Sequence, residues 1–587
     1  MVLMDNKKIS EIFDEIANML SLEDFPNVRF EVRAYQKAAL MIGTMQEPVD
    51  EIYRKGGIKA LMELPGIGAT MSKHIEELVN TGKLSKYEKL KKKYPIDMAS
   101  LTAIPGLGAK KAILLYRKLG VKNKEDLKKA IGSHKIKELE GFGEKSEEAI
   151  REGLLMLEAG SGRQILGYVL PIAERMVEKI NNSGLVEKVM IAGSARRMRE
   201  TVGDIDILAI SKKGPEVMDF FANMEEVSSV LQKGPTKSSA FLKIGLNCDL
   251  RVLEPLSFGA AVQYFTGSRD HNIQVRQIAV NKGYKLNEYG LFNKSNKNIG
   301  GASEEGIYEK LGMQWMPPEM REARGEVKLA LEHKIPRLVG LGDIKGDLHT
   351  HTKETDGVNS LEEMAEAAAK LGYEYIATTN HSKSERVANG MDDKKFKAYF
   401  KKIENVRKSM DGKISILYGA EVDILKDGSL DLEKGTLKQM DCVVAAVHTS
   451  FNMSEKEMTD RVIKAFDSGL VDVFAHPTGR LIGDMKMHKA RPGYQIDLDK
   501  IATAAEEHGV ALEINAFPDR TDLNDTNIIA LSKYKVMFSI DTDAHSTSHL
   551  NFMRYGVGTA RRGWLTKDKI LNSLNLINLR KILDREG

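Results

Sequence analysis

Two cysteines, Cys248 and Cys442, are all that 587 residues contain, so no disulfide framework holds this chain together and a reducing compartment suits it. No apolar run approaches the roughly 20 residues needed to cross a bilayer. The opening Met-Val-Leu-Met-Asp-Asn-Lys-Lys has no apolar secretory core. A cytoplasmic protein with no membrane partner is therefore expected. A large charge of one sign is lacking too, since the net charge is only +4. Its placement is uneven. Residues 1–350 carry 53 Lys and Arg against 47 Asp and Glu, residues 351–587 carry 34 against 36, and residues 101–130 carry eight against two. A basic first half suits contact with nucleic acid. Hydrophobic residues at 42% and charged residues at 29% describe an ordinary folded chain, long enough for several domains each with its own core.

Amphipathic helices are expected at Ile9–Leu20 and Val28–Ile42. Leu64-Pro65-Gly66-Ile67-Gly68 follows and leads into a helix over Ala69–Val79. Forty residues later Ile104-Pro105-Gly106-Leu107-Gly108 leads into Ala109–Leu119, and Gly141-Phe142-Gly143 before Glu144–Leu157 is a degenerate third copy. Proline sets such a turn, and paired glycines let successive N–H groups approach a phosphate at a helix N-terminus. The copies resemble the helix-hairpin-helix motif, which holds the DNA backbone without reading its sequence. By that resemblance Gly66, Gly68, Gly106 and Gly108, with Lys73 and Lys86, are DNA contacts.

The densest chemistry lies at Gly193-Ser194-Ala195-Arg196-Arg197 and Gly203-Asp204-Ile205-Asp206, behind the apolar Val189-Met190-Ile191-Ala192. In a strand, residues two apart share a face, so Asp204 and Asp206 point one way while Ile205 and Ile207 enter the core. Two carboxylates this close repel unless a cation lies between them, and hard oxygen ligands suit Mg²⁺ or Mn²⁺. A third carboxylate is expected from Asp249, on the polar face of a strand predicted over Leu242–Val252, where apolar residues alternate strictly.

With Tyr264-Phe265-Thr266-Gly267-Ser268 and Leu286-Asn287-Glu288-Tyr289, these segments resemble the palm and thumb of a family X DNA polymerase. The resemblance implies catalysis by Asp204, Asp206 and Asp249 with two Mg²⁺ ions. It implies nucleotide contacts from Gly193, Ser194, Arg197, Gly203, Tyr264, Phe265, Gly267 and Asn272, and a DNA contact from Arg276. Some family members also carry a Schiff-base lysine in the N-terminal domain. Here His74 stands at its position, and a histidine cannot form a Schiff base.

From Gly346 the chain alternates strands and helices, and ligand-type residues fall at strand ends: His349 and His351, then His381, Glu421, His448, His476, Asp543 and His545. His-x-His on a strand end puts both imidazoles on one face, and strand C-termini facing one mouth are where α/β barrels place their chemistry. The pattern resembles the PHP (polymerase and histidinol phosphatase) domain, a distorted (α/β)7 barrel. Its nine metal-ligand positions are filled by His349, His351, Asp356, His381, Glu421, His448, His476, Asp543 and His545, with Glu421 bridging two of up to three ions. Mixed imidazole and carboxylate ligands favour Mn²⁺, Zn²⁺ or Fe²⁺ over Mg²⁺ alone. One departure is Asn380, where the family usually has Asp.

The expected architecture is multidomain α and α/β. A helical DNA-binding domain spans residues 1–90 and a fingers-like helix-hairpin-helix domain 91–150. A nucleotidyltransferase palm spans 151–255, a thumb 256–326, a linker 327–345 and the PHP barrel 346–583. The expected function is gap-filling DNA synthesis in base excision repair by a monomer acting on gapped or primed DNA and deoxynucleoside triphosphates. A metal-dependent 3′–5′ exonuclease would accompany it, with possible abasic-site endonuclease or 3′-phosphatase action. The alternative is a polymerase whose PHP half is a non-catalytic structural module.

Overall fold

A computed structural model describes residues 6–584 apart from 22, 24–27, 44–48, 65, 103, 105–106, 159–161 and 484–489. Residues 1–162 and 163–587 form two compact units.

The first unit is helical. Helices Asn6–Leu20, Val28–Gly43, Ala69–Thr81 and Ser85–Lys93 enclose Phe13, Tyr35, Ile75 and Leu78, all fully buried. A second cluster around Leu101, Leu107, Leu115, Leu127 and Ile150 is built largely from helices Ala109–Leu119, Lys124–Gly132 and Glu144–Glu158. Gly68 and Gly108 are the N-caps of Ala69–Thr81 and Ala109–Leu119, and neither helix start is capped by a side chain. Gly66 holds φ +89°, a left-handed turn that favours glycine. Gly106, like Pro65 and Pro105, lies outside the described residues.

The second unit begins with a five-stranded sheet in the order Lys188–Ile191, Asp204–Ile210, Asn247–Leu253, Lys237–Leu242, Val227–Lys233. Its central pair is parallel and places Asp206 directly opposite Asp249. The alternation over Leu242–Val252 does not form one strand. The chain turns back after Leu242, with Gly245 at φ +86° and the Leu246 carbonyl accepting from the Leu242 N–H. Alternation continues in phase through this tight turn, which is why the sequence pattern reads across it. Pro171 lies in the second turn of one helix, Leu166–Asn182, which it neither breaks nor restarts.

Helices Phe258–Thr266, Arg269–Asn281 and Glu304–Lys310 follow, with three short strands between the second and third. Their junction with the palm is ionic and buried. Glu304 takes a two-pronged bond from Arg196 at 2.9 Å on each oxygen, a third from fully buried Arg321 at 2.5 Å and a fourth from Trp315 Nε1 at 3.0 Å. Burial raises the carboxyl of Glu304, but Arg321 and Arg196 outweigh it and hold the group well below the ordinary carboxylate range.

Seven parallel strands make up the C-terminal half: Gly346–Asp347, Tyr375–Thr378, Ser415–Asp423, Cys442–Ala446, Val473–Phe474, Ala511–Asn515 and Phe538–Asp541. They neighbour one another in chain order, and a parallel bridge between Thr350 and Ala544 nearly closes the ring. Strands buried on both faces read as apolar runs rather than alternations. Leu348, Ala377, Leu417, Val444, Val473 and Ala511 form one apolar cluster of the barrel, and a much larger one contains residues from its strands and surrounding helices. Within the stretch expected as a linker, Val339 and Ile344 are buried in that larger cluster, and the Val339 N–H bonds to the Leu565 carbonyl. No described helix is long and apolar enough to cross a membrane.

Removing one partner from a buried ion pair costs about 3–5 kcal/mol, because the others stay charged and unpaired. Glu304→Ala is expected to lower the stability of the second unit by that amount. Trp315 and Trp564, the only tryptophans, both lie in this unit, so denaturant unfolding followed by their emission reports on it alone.

Candidate functional sites

The parallel pairing of the two central palm strands sets Asp204, Asp206 and Asp249 on one polar face above Ile205, Ile207 and Cys248, all fully buried. Asp249 accepts from Ser239 Oγ at 2.6 Å and pairs with Lys237 at 3.1 Å. Burial, then Asp204 and Asp249, push Asp206 up to about 7. Burial and then Asp249 raise Asp204 too. A carboxylate cluster that repels itself in this way fits divalent cations. Gly193, at φ +64°, leaves room for it, since a Cβ there would lie 2.5 Å from Asp206 Oδ2. Next to it, the buried Ser194 Oγ has no hydrogen-bond partner.

The two arginines after Ser194 differ. Arg196 belongs to the Glu304 network, whereas Arg197 donates through Nε to Glu322 Oε1 at 3.0 Å and through Nη1 to the Thr266 carbonyl. A Cβ on Gly267, at φ +69°, would approach Arg197 Nη1 to 3.1 Å. Tyr264 and Phe265 stack edge to face, and Arg251 lies over the Phe265 ring. Asn272 is buried and ties Gln263 to the Tyr264 carbonyl, while Arg276, one turn on, is exposed. Gly203 sits between the Thr201–Val202 and Asp204–Ile210 strands. Glu322, which the sequence reading missed, faces the nucleotide-type residues with only its charge as a signal.

In the first unit, Lys73 is exposed and Lys86 pairs with Glu31. His74 Nδ1 lies 2.9 Å from Tyr35 Oη, its ring stacks on that tyrosine, and burial and then Lys86 lower its pKa.

The barrel gathers all nine ligand-type residues at the C-terminal end of its strands. Glu421 lies at the centre, inside the Ser415–Asp423 strand rather than after it. One oxygen is 3.0 Å from His476 and 3.2 Å from His448, the other 2.8 Å from His381, 3.5 Å from His349 and 3.6 Å from His351. Asp543 Oδ1 is 3.1 Å from His351 and 3.6 Å from His349, and Asp356 joins His381 and His545 at 3.4 and 3.3 Å. Among the described residues four overlapping groups here could each hold an ion: His351, Asp356, His381 and His545; His349, His351 and Glu421; His381, Glu421 and His448; and Glu385, Asp423 and His448. Buried ring nitrogens of His349, His351, His381 and His476, with Glu421 Oε2, have no hydrogen-bond partner. Buried polar atoms are rarely left so, and this donor set fits transition-metal ions.

Burial opposes charge on every one of these imidazoles. It prevails at His351 and His476, pushed down to about 3, with His545 and His381 reinforcing it at the first and Arg520 at the second. At His381 and His448 the Glu421 carboxylate overcomes burial and raises the pKa to about 10 and about 9.

Behind the cluster stand carboxylates that the sequence reading did not single out. Glu513 accepts from His349 Nδ1 and from the His476 N–H, both at 2.6 Å, and Asp423 accepts from His448 Nδ1 at 3.0 Å. Such partners fix which ring nitrogen faces an ion. A glutamate inside the wholly buried strand Ala511–Asn515 was the available signal for Glu513. Asn380 meets the cluster through its backbone, where its carbonyl accepts from the Glu421 N–H at 3.1 Å. It is fully buried, and its amide oxygen accepts from the Thr352 N–H and Thr355 Oγ1 at 2.8 and 2.9 Å, holding the turn that precedes Asp356.

Four family models match the chain: a helix-hairpin-helix domain at residues 4–84, a SAM-like helix-hairpin-helix tandem at 98–154, the DNA polymerase beta thumb at 261–322 and the PHP domain at 347–517. A DNA polymerase/3′-5′ exonuclease PolX from Bacillus subtilis is 37% identical over 586 residues, covering 99% of this chain and all of that one. A probable phosphatase from Thermoanaerobacter is 28% identical over 39% of this chain and 89% of its own length. DNA polymerase lambda from Arabidopsis thaliana is 25% identical over 54% of this chain and 62% of its own.

The raised pKa of Asp206 gives a pH test. Below about 7 that group holds a proton which a cation must displace, so acid weakens binding. The Mg²⁺ concentration giving half-maximal primer extension is expected to rise about tenfold from pH 8 to pH 6. At the barrel, Glu513→Gln is expected to weaken Mn²⁺ binding, measured calorimetrically, by about 10–100-fold.

Proposed function

Since the chain belongs to the PolX family of DNA polymerase/3′-5′ exonucleases, we propose that it is a template-directed, gap-filling repair polymerase with its own metal-dependent 3′–5′ exonuclease. The observation that carries this reading is the pair of separate convergent ligand sets, acidic in the palm and histidine-rich in the barrel.

In the palm, Asp204, Asp206 and Asp249 would hold two Mg²⁺ ions, which neutralise phosphate charge and favour ionisation of the attacking 3′-hydroxyl. Ser194 offers its unpartnered hydroxyl, and Arg197 its guanidinium, to the triphosphate. Gly193 and Gly203 keep side chains away from the phosphates. Tyr264, Phe265 and Gly267 border the sugar and base, with Asn272 fixing the tyrosine's backbone and Arg276 reaching the duplex. Gly66, Gly68, Gly106, Gly108, Lys73 and Lys86 serve as backbone-phosphate contacts, which position DNA without selecting sequence. His74 is spent on Tyr35, so no lyase chemistry is assigned to it.

In the barrel, His349, His351, Asp356, His381, Glu421, His448, His476, Asp543 and His545 would hold up to three Mn²⁺ or Zn²⁺ ions. Such ions supply Lewis acidity and activate water for phosphoester hydrolysis. Glu513 and Asp423 keep the imidazoles oriented. Similarity to a probable phosphatase over 39% of this chain supports phosphoester chemistry and leaves 3′-phosphatase or abasic-site action as further activities. A purely architectural barrel is disfavoured by the unpartnered buried nitrogens, which architecture alone does not require. On this reading it would act on gapped or primed DNA in the cytoplasm, as a monomer.

A one-nucleotide-gapped duplex assay with Mg²⁺ or Mn²⁺ tests both halves. Asp206→Ala is expected to lose extension by at least 10³-fold and keep 3′–5′ degradation, and His351→Ala to do the reverse. Loss of both activities in either variant would contradict two independent centres.

A further inference from the structure

Arg562 ends the helix Met553–Arg562, in the half of the chain that carries the histidine cluster, yet its charge is directed at the polymerase. Its guanidinium is buried. Nη1 donates to Glu322 Oε1 and to the carbonyl of Arg197, both at 2.9 Å, and Nη2 donates to Asp525 Oδ2 at 2.6 Å. Glu322 Oε1 is also the acceptor for Arg197 Nε, at 3.0 Å. Two guanidinium groups from different halves of the chain thus share one carboxylate oxygen, and Arg199 stands 3.6 Å from the other. The surroundings are closely packed, since a Cβ on Gly558, one turn before Arg562, would lie 2.7 Å from the Met198 side chain.

We propose that Arg562 is a positioning residue of the polymerase site, holding Glu322 so that Arg197 can be released to the incoming triphosphate. The proposal rests on the reading of Arg197 as a nucleotide contact. As the structure stands, Arg197 is clasped by Glu322 and cannot give that Nε–H to a phosphate at the same time. Were Arg197 the sole partner, its departure would strand a buried carboxylate, an expensive state. Arg562 removes that obstacle, because Glu322 Oε1 keeps a charged donor when Arg197 leaves. Its bond to the Arg197 carbonyl keeps the backbone in place while the side chain moves, and Asp525 fixes the orientation of Arg562 itself. Without Arg562, Glu322 would grip Arg197 more tightly and compete better with the triphosphate. The exonuclease half of the chain therefore tunes nucleotide affinity in the polymerase half, without touching the nucleotide.

The test is steady-state gap filling with the full-length protein, with Mn²⁺-dependent 3′–5′ degradation measured alongside. Arg562→Gln is expected to raise KM for the deoxynucleotide about tenfold, with a smaller change in kcat and unchanged degradation. Adding Glu322→Gln in the same chain is expected to return KM most of the way, because the competing carboxylate is then gone. A structural role alone would not produce that rescue, and its absence overturns the proposal. Should Arg562→Gln not fold, Arg562→Lys keeps one cation beside Glu322 and is expected to show a several-fold rise in KM. An unchanged KM in the folded variant overturns the proposal. Arg197→Ala separates the two claims. If it leaves KM unaltered, the nucleotide reading of Arg197 fails first. If it raises KM while Arg562→Gln does not, the role of Arg562 alone fails.

Discussion

Buried polar groups that repel one another or lack a hydrogen-bond partner are the constraint around which residues 163–587 are built. Asp206 faces Asp204 on its own strand and Asp249 on the next, and burial adds to the repulsion. In the barrel, five imidazoles crowd one glutamate, and several of their nitrogens donate to nothing and accept from nothing. Each polar atom left in that state costs about 1–3 kcal/mol. A fold tolerates such groups only where the scaffold is rigid and where something from solution completes them. Cations would supply that completion, since a ligand present at about a hundred times its Kd returns about 2.7 kcal/mol to the folded state.

The two centres draw their rigidity from different sources. In the palm it comes from a parallel strand pair that fixes Asp206 opposite Asp249, and from the Glu304 network that ties Arg196 to Arg321 behind it. In the barrel it comes from carboxylates standing behind the imidazoles, above all Glu513, which engages His349 and the backbone of His476 together. The halves also share a surface. Tyr168 Oη donates to Asp519 at 2.8 Å, Tyr555 Oη to the Gly167 carbonyl at 3.1 Å, and Arg480 pairs with Glu200. Arg562, Glu322 and Asp525 form the most charged part of this surface, and it lies beside the arginine that the polymerase reading assigns to the triphosphate.

Much of this was legible in the sequence because both centres use periodic positions. Asp204 and Asp206 are two apart on one strand, Asp249 falls on the polar side of an alternation, and the histidines recur at strand ends. Resemblance to two families supplied the rest of the expected ligand sets and the helix-hairpin-helix reading, and the matching family models and the full-length relative agree with that architecture. Other features are set by tertiary packing and leave little local trace. The turn at Lys243–Gly245 was hidden because alternation stays in phase across it. The residues expected as a linker include Val339 and Ile344, which only the folded barrel turns into core. Arg197 read as free for phosphate, and its partner Glu322 lies 125 residues away with no pattern linking the two. Glu513, Asp423 and Arg562 act through other side chains, and a single sequence has no code for such indirect roles.

The central claim is that each convergence of repelling or unpartnered ligand atoms is completed by cations. Anomalous diffraction from crystals soaked in Mn²⁺ tests it most directly. Peaks are expected in the palm among Asp204, Asp206 and Asp249, and in the barrel around Glu421 within reach of His349, His351, His381 and His448. Full occupancy of protein crystals by Mn²⁺ elsewhere, with neither place showing a peak, would contradict it.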